Sequence, residues 1–193
     1  MRNIIVNRKM AVETNEHDIK VGDQIQVPLC LENDKVTAFT ATAHKIVDNS
    51  VLFIFDDYIA TKPMNKEWSN VGGYEKSDLK KWIDTELLKA FPEDMRERIC
   101  DLSIPTVGEI FGQNDDWCNE VFDMDTNEQL ELMKNIRYRI AFLNNGLEWG
   151  WLRNKTKDSV SAASFALVSR YGFANCADAT FSIGVRPEFW LVK

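Results

Sequence analysis

Residues 24–59 alternate between apolar and polar positions, and helical spacing takes over only later. Between Gln24 and Leu31, the apolar residues Ile25, Val27 and Leu29 share one face. Beyond a polar turn at 32–35, residues 36–47 put Phe39, Ala41 and Ala43 on one face and Thr40, Thr42 and His44 on the other. Side chains alternate across an extended strand, so both runs predict strands, with His44 facing solvent. Residues 51–55 are apolar throughout, the pattern of a strand buried on both faces and central to this meander. Val21-Gly22-Asp23 and Asp48-Asn49-Ser50 supply turns, and residues 1–20 predict a short strand or arm.

Residues 60–74, with Pro63 and Gly72-Gly73, predict a loop. Leu79, Trp82, Ile83, Leu87 and Phe91 then recur at helical spacing behind Ser77, a good N-cap, and predict a helix over 77–90. Pro92 suits the first turn of a second helix, expected to run through Cys100. Thr106-Val107-Gly108-Glu109 matches a capping box for a brief helix through Phe111. Residues 112–127 are acidic and predict an irregular segment. Leu130, Met133, Ile136 and Ile140 predict one amphipathic helical stripe, stopped by Asn144-Asn145-Gly146. Strands are expected again at 149–153, 161–171 and 180–192, with Pro187 marking an edge or bulge because it cannot donate to a ladder.

At 193 residues, with 45% hydrophobic and 11% aromatic residues, the chain can bury a core of its own. We read 1–193 as a single domain with a possible insertion at 112–145. The longest apolar run, 51–55, falls far short of the ~20 residues of a membrane span, and the basic N-terminus lacks the apolar stretch of a signal peptide. This predicts a chain made in the cytoplasm of a host cell, with association with a virus particle left open. Cysteines at 30, 100, 118 and 176 are too scattered for a disulfide framework or a CxxC site and are expected to be buried free thiols.

Chemistry-bearing patterns are sparse. No GxSxG, phosphate loop, HExxH or close Cys–His pair is present, and His17 and His44 are the only histidines. General acid–base work would therefore fall to carboxylates, and their spacing singles out no pair. Asp123-Met124-Asp125-Thr126-Asn127-Glu128 begins like a calcium loop but has Glu128 in place of the turn glycine and Lys134 in place of the closing glutamate. No cofactor or metal is expected. Asn154-Lys155-Thr156 fits a glycosylation sequon by chance. Lys134, Arg137 and Arg139 form a short basic run, but a net charge of −7 disfavours direct nucleic-acid binding. Two groupings stand out. Trp149, Trp151 and Arg153 are expected on one strand face, either as an exposed cation–π stack or as core, with Arg153 and Arg186 held by carboxylate or backbone acceptors. Asp115, Asp116, Glu120, Asp123 and Asp125 form an acidic stretch suited to a basic protein, whereas a recognition module would expose Trp117 or Trp149 beside a shallow groove.

The order of segments resembles a family of uncharacterised domains of Firmicutes and their phages, related to C-type-lectin-like and sulfatase-modifying-factor folds. Val21-Gly22-Asp23 and the strand pair at 40–47 and 51–59 are similar to its opening hairpin. Residues 74–83 look like its S-x-L-R-K-W-L helix start, and Trp151-Leu152-Arg153 with Gly184-Val185-Arg186-Pro187 look like its W-W-L-R and G-V-R-P signature. Gly150 departs from the pattern, standing where the family usually has tryptophan. The resemblance implies an α+β fold, a twisted antiparallel sheet with flanking helices and a loop-rich, C-type-lectin-like face. It implies no catalysis, and the copper-binding cysteine pair of sulfatase-modifying enzymes has no counterpart. The expectation is a non-enzymatic binding module of phage or mobile-element type that recognises a host protein or surface glycan. The alternatives are a counter-defence inhibitor, binding a host nucleic-acid enzyme such as a CRISPR effector through its acidic surface, and an enzyme with an unrecognised carboxylate site.

Overall fold

A computed structural model describes residues 18–32 and 35–193. The strand or arm expected before residue 18, His17 and the centre of the 32–35 turn lie outside these described residues. The chain is mixed α+β, with strands predominating in open, mainly antiparallel sheets. Strands β1 (Gln24–Glu32), β2 (Lys35–Val47) and β3 (Ser50–Phe55) form the predicted meander, with Ile25 opposite Ala41 and Ala43 opposite Phe53. β4 (Ala60–Lys62) follows. Ser77 caps the predicted helix, its hydroxyl accepting from Lys80 N at 3.0 Å. That helix, α1, comprises an α segment Asp78–Trp82, a π turn Ile83–Leu87 and a last turn Leu88–Ala90.

The second helix is shorter than expected. α2 spans Glu93–Arg96, and Ile99 and Cys100 open strand β5 (Ile99–Ser103) instead. Pairing of 99–103 with the C-terminal strand, Leu191 opposite Ile99 and Glu188 opposite Ser103, gives these backbone groups their partners instead. α3 (Val107–Phe111) has the full capping box, Glu109 N donating to Thr106 Oγ1 and Thr106 N to Glu109 Oε2. Within the segment expected to be irregular, α4 (Asp116–Val121) starts on Asp115, whose carboxylate accepts from Cys118 N at 2.9 Å. The stripe from Leu130 to Ile140 is not one helix. It breaks into turns Glu131–Lys134 and Ile136–Tyr138 at Asn135, which is extended (ψ 119°) and caps the second turn through Arg137 N. Leu130 and Met133 are buried, and Ile136 is exposed.

A small hairpin, β6 (Phe142–Leu143) with β7 (Gly146–Leu147), leads to β8 (Gly150–Lys155), β9 (Ser164–Val168) and β10 (Ala174–Asp178). The strand expected through Tyr171 turns back at 169–173. The strand expected over 180–192 divides at Pro187 into β11 (Ile183–Val185) and β12 (Glu188–Val192), which lie in different sheets. One sheet has the order β1-β2-β3-β12-β5 and the other β10-β9-β8-β11-β4, so β3, expected at the centre of the meander, is its last strand and becomes central to the sheet because β12 pairs on its far side.

Each sheet gives one face to each of two apolar clusters. Phe53, Phe55, Phe189 and α1 residues Leu79, Ile83 and Leu87 join Trp151, Phe165 and Leu167 in the first. Leu52 and Ile54 join α3, Phe122, Met133, Leu152 and Ala166 in the second. Because both faces of the first sheet are covered, His44 is 3% exposed, which corrects its expected solvent-facing position. Cys30 and Cys100 are exposed, so the expectation of four buried thiols holds only for Cys118 and, in part, Cys176. No helix among the described residues is long and apolar enough to cross a membrane.

Candidate functional site

The arginines of the C-terminal signature are built into the interior. Arg153 leaves β8 and reaches between β5 and β12. Its Nε donates to Ile104 O at 2.5 Å, and its Nη2 donates to Glu188 Oε1 and lies 3.6 Å from Glu109 Oε2. Glu109 is held by the capping box, and Glu188, on β12, has a side chain only 4% exposed. Two carboxylates thus share one guanidinium. Burial, reinforced by the charge of Glu109 and opposed by Arg153, pushes the Glu188 carboxyl up to about 8. Burial thus favours the protonated Glu188 carboxyl over a wider pH range than an ordinary glutamate has. An open groove of about 470 Å³ lies outside Arg153, bordered by Tyr74, Thr106, Asp125, Asn154 and Lys155.

Arg186 is buried and makes no carboxylate ion pair among the described residues. Its Nε donates to Phe55 O at 2.5 Å and its Nη1 to Tyr138 O at 2.7 Å. Nearby, burial and the Arg186 charge hold His44 down to about 3, and neither ring nitrogen has a partner among the described residues. His44 is neutral and packs edge-on against the Tyr138 ring. Tyr58 is buried where Gly150 and Gly184 meet, and a Cβ on either glycine would overlap its ring. Gly150 is glycine because Tyr58 takes the space that a side chain there would fill.

The expected face of Trp149, Trp151 and Arg153 separates into three environments. Trp151 is 1% exposed and donates from Nε1 to Lys62 O at 2.8 Å. Arg153 occupies the charge cluster. Trp149, just ahead of β8, is half-buried, with the guanidinium of Arg170 instead of Arg153 over its ring at 5.7 Å. Segments that adjoin Trp149 carry exposed apolar side chains. Tyr171 and Phe173, 63% and 60% exposed, flank Gly172 in the β9–β10 turn. Gly172 has φ 80° and sits so close to Ile136 that any Cβ would strike it, which seats the turn on the Ile136–Tyr138 segment. Phe142 and Leu147, paired across the β6–β7 hairpin and exposed, complete the face two residues before Trp149.

Most of the acidic stretch is used by the fold. Asp115 caps α4. Asp125 accepts from Gly108 N, Thr106 Oγ1, Asn154 Nδ2 and Asn127 N, and Asp123 lies 3.4 Å from Lys155 Nζ. Asp116 and Glu120 remain exposed on α4. Trp117, 42% exposed, packs edge-on against Phe122, away from the Trp149 face in sequence and contacts. Asn154 of the sequon is buried. Arg139 of the basic run donates to Met133 O and covers Phe111. Burial raises the Cys118 thiol to about 12, which leaves it without nucleophilic thiolate. No group of three or more potential metal ligands converges among the described residues.

Residues 49–193 match a family model described as a domain of unknown function (DUF6273). The chain belongs to the DUF6273 family. The matched span starts at the β2–β3 turn and runs across the 112–145 segment to the C-terminus, so β1 and β2 lie outside it. No curated protein and no solved structure matches the chain. Within this DUF6273 chain, sequence reasoning missed Arg170, Tyr171 and Phe173. The available signal was Arg170-Tyr171-Gly172-Phe173, a turn glycine between two aromatics, concealed by extending the strand through it.

Proposed function

We propose that this DUF6273 chain is a non-catalytic recognition module that docks a host protein through the face around Trp149. The observation that carries the reading is the exposure of Tyr171, Phe173, Phe142, Leu147 and Ile136 on segments that adjoin the Arg170–Trp149 stack. Such apolar exposure, rich in aromatic residues and arginine, is typical of protein-binding hot spots. Aliphatic Ile136 and Leu147 favour a protein over a glycan, because sugar recognition relies on polar groups beside the aromatic ring. Resemblance of the signature motifs supports a phage or mobile-element source and a C-type-lectin-like version of the two-sheet architecture. A solved structure superposed on lectin-like and sulfatase-modifying folds tests that relation. The acidic-surface alternative rests on Asp116 and Glu120 once the fold's use of the other three acids is subtracted.

Affinity capture from host lysate, using the wild type and a Tyr171→Ala/Phe173→Ala double variant in parallel, tests the proposal. Both positions are exposed, so the variant keeps its fold. A protein retained by the wild type and lost by the variant supports the reading. Retention by both, release by free glycan, or capture abolished only by reversing Asp116 and Glu120 contradicts it.

A further inference from the structure

A second surface, bordered by Leu143 and Asn144 of the β6–β7 hairpin, has the makings of a peptide-binding groove. β4 ends the second sheet, with β11 paired on one side, and its residues Ala60, Thr61 and Lys62 line an open cleft. The cleft, about 590 Å³, lies between Ala60, Thr61 and Lys62 of β4 and Thr37 and Phe39 of β2. It runs over Trp82 into an adjoining cleft of about 480 Å³ beside α1, since Lys62, Trp82 and Glu86 line both. The half-buried Trp82 ring forms an apolar floor, with Lys62 Nζ 4.9 Å from its centroid.

The charge of this groove opposes that of the chain. Lys35, Lys62, Lys66 and Lys81 line it against Asp78 and Glu86, a balance of four minus two, or +2, in a chain of −7. None of the four lysines is in an ion pair among the described residues. Asp78 is occupied, accepting from Lys66 N at 2.9 Å. A terminal strand offers unpaired main-chain groups to an incoming chain, and alternate side chains of that chain would meet the floor and the lysines.

We propose that this groove binds an extended acidic segment of a partner protein, which adds as a strand to β4, sets an apolar side chain against Trp82 and directs carboxylates to the lysines. β2 lies outside the DUF6273 span and β4 inside it, so the groove arises where the two parts of this chain meet. The inference is independent of the Trp149 face.

The test is selection of a random decapeptide display library against the full chain. The expected peptides lack proline, alternate Asp or Glu with apolar residues, and bind more weakly at high salt. A Lys35→Glu/Lys62→Glu variant, both changes on side chains at the groove, should reduce their affinity by about tenfold or more. N-methylation of alternate peptide amides should do the same by blocking strand addition. Several results would overturn the proposal. These are no enriched peptide, neutral or basic peptides, undiminished binding by the variant, undiminished binding of methylated peptide, or tighter binding of an oligothymidylate to the groove.

Discussion

Replacing Glu188 by glutamine should reverse its effect on stability as pH changes. In the folded chain burial holds Glu188 at about 8, against an ordinary value of 4.5. Between those values the folded state keeps a proton that the unfolded state releases. The contribution is fully present below pH 4.5 and is lost as pH rises through 8. At ~1.4 kcal/mol per pH unit, the window from 4.5 to 8 corresponds to a loss on the order of 3–5 kcal/mol by pH 9. Glu188→Gln mimics the protonated acid in size and neutrality but does not titrate. The variant should match or fall below wild type at pH 5 and exceed it at pH 9 by a few kcal/mol. Urea unfolding followed by tryptophan fluorescence at pH 5, 7 and 9 measures the difference, and contributions from other groups, His44 included, cancel in it. Parallel pH profiles for the two proteins would refute the reasoning. A variant weaker at every pH would mean that Glu188 is an ordinary ionised partner of Arg153.

Three further outcomes test the interior. His44 has a folded pKa of about 3 against 6.5 ordinarily, so its contribution is complete above pH 6.5 and is lost as pH falls from there towards 3. His44→Leu should remove part of that acid sensitivity while costing less than about 1 kcal/mol at pH 8, as acid titration of circular dichroism will show. Gly184→Ala drives a methyl group into the Tyr58 ring and should cost about 1–3 kcal/mol, whereas the double change with Tyr58→Leu should recover part of it in a denaturation cycle. Full burial of Trp82 or Trp190 would make alanine cost ~3–5 kcal/mol, but both are half-buried, so chemical denaturation should give about 2–3 kcal/mol.

Local patterns were the readable part of this chain. Alternation at 24–31 and 36–43 set the strand pairing, Ser77 and Thr106 marked the helix starts by their capping chemistry, and Pro187 marked the break between β11 and β12. What sequence did not reveal depends on packing across the chain. His44 alternates with Ala43 like a solvent-facing residue, yet the Tyr138 segment covers it from almost a hundred residues away. Leu130 to Ile140 has helical spacing, but Asn135 offers its side chain to Arg137 N and the helix gives way to two turns. Arg153 was readable as a buried cation but not its pair of glutamates, which arrive from α3 and β12. Trp149 was found as a candidate, whereas its partner Arg170 comes from the neighbouring turn.

The central claim is that the Trp149 face does the binding. Amide hydrogen exchange on the chain, free and saturated with its captured partner, tests this most directly. Docking through this face should bring new protection at residues 169–173 and 142–149, with α4 unchanged. Protection confined to 115–125, or none at the β9–β10 turn, would contradict it.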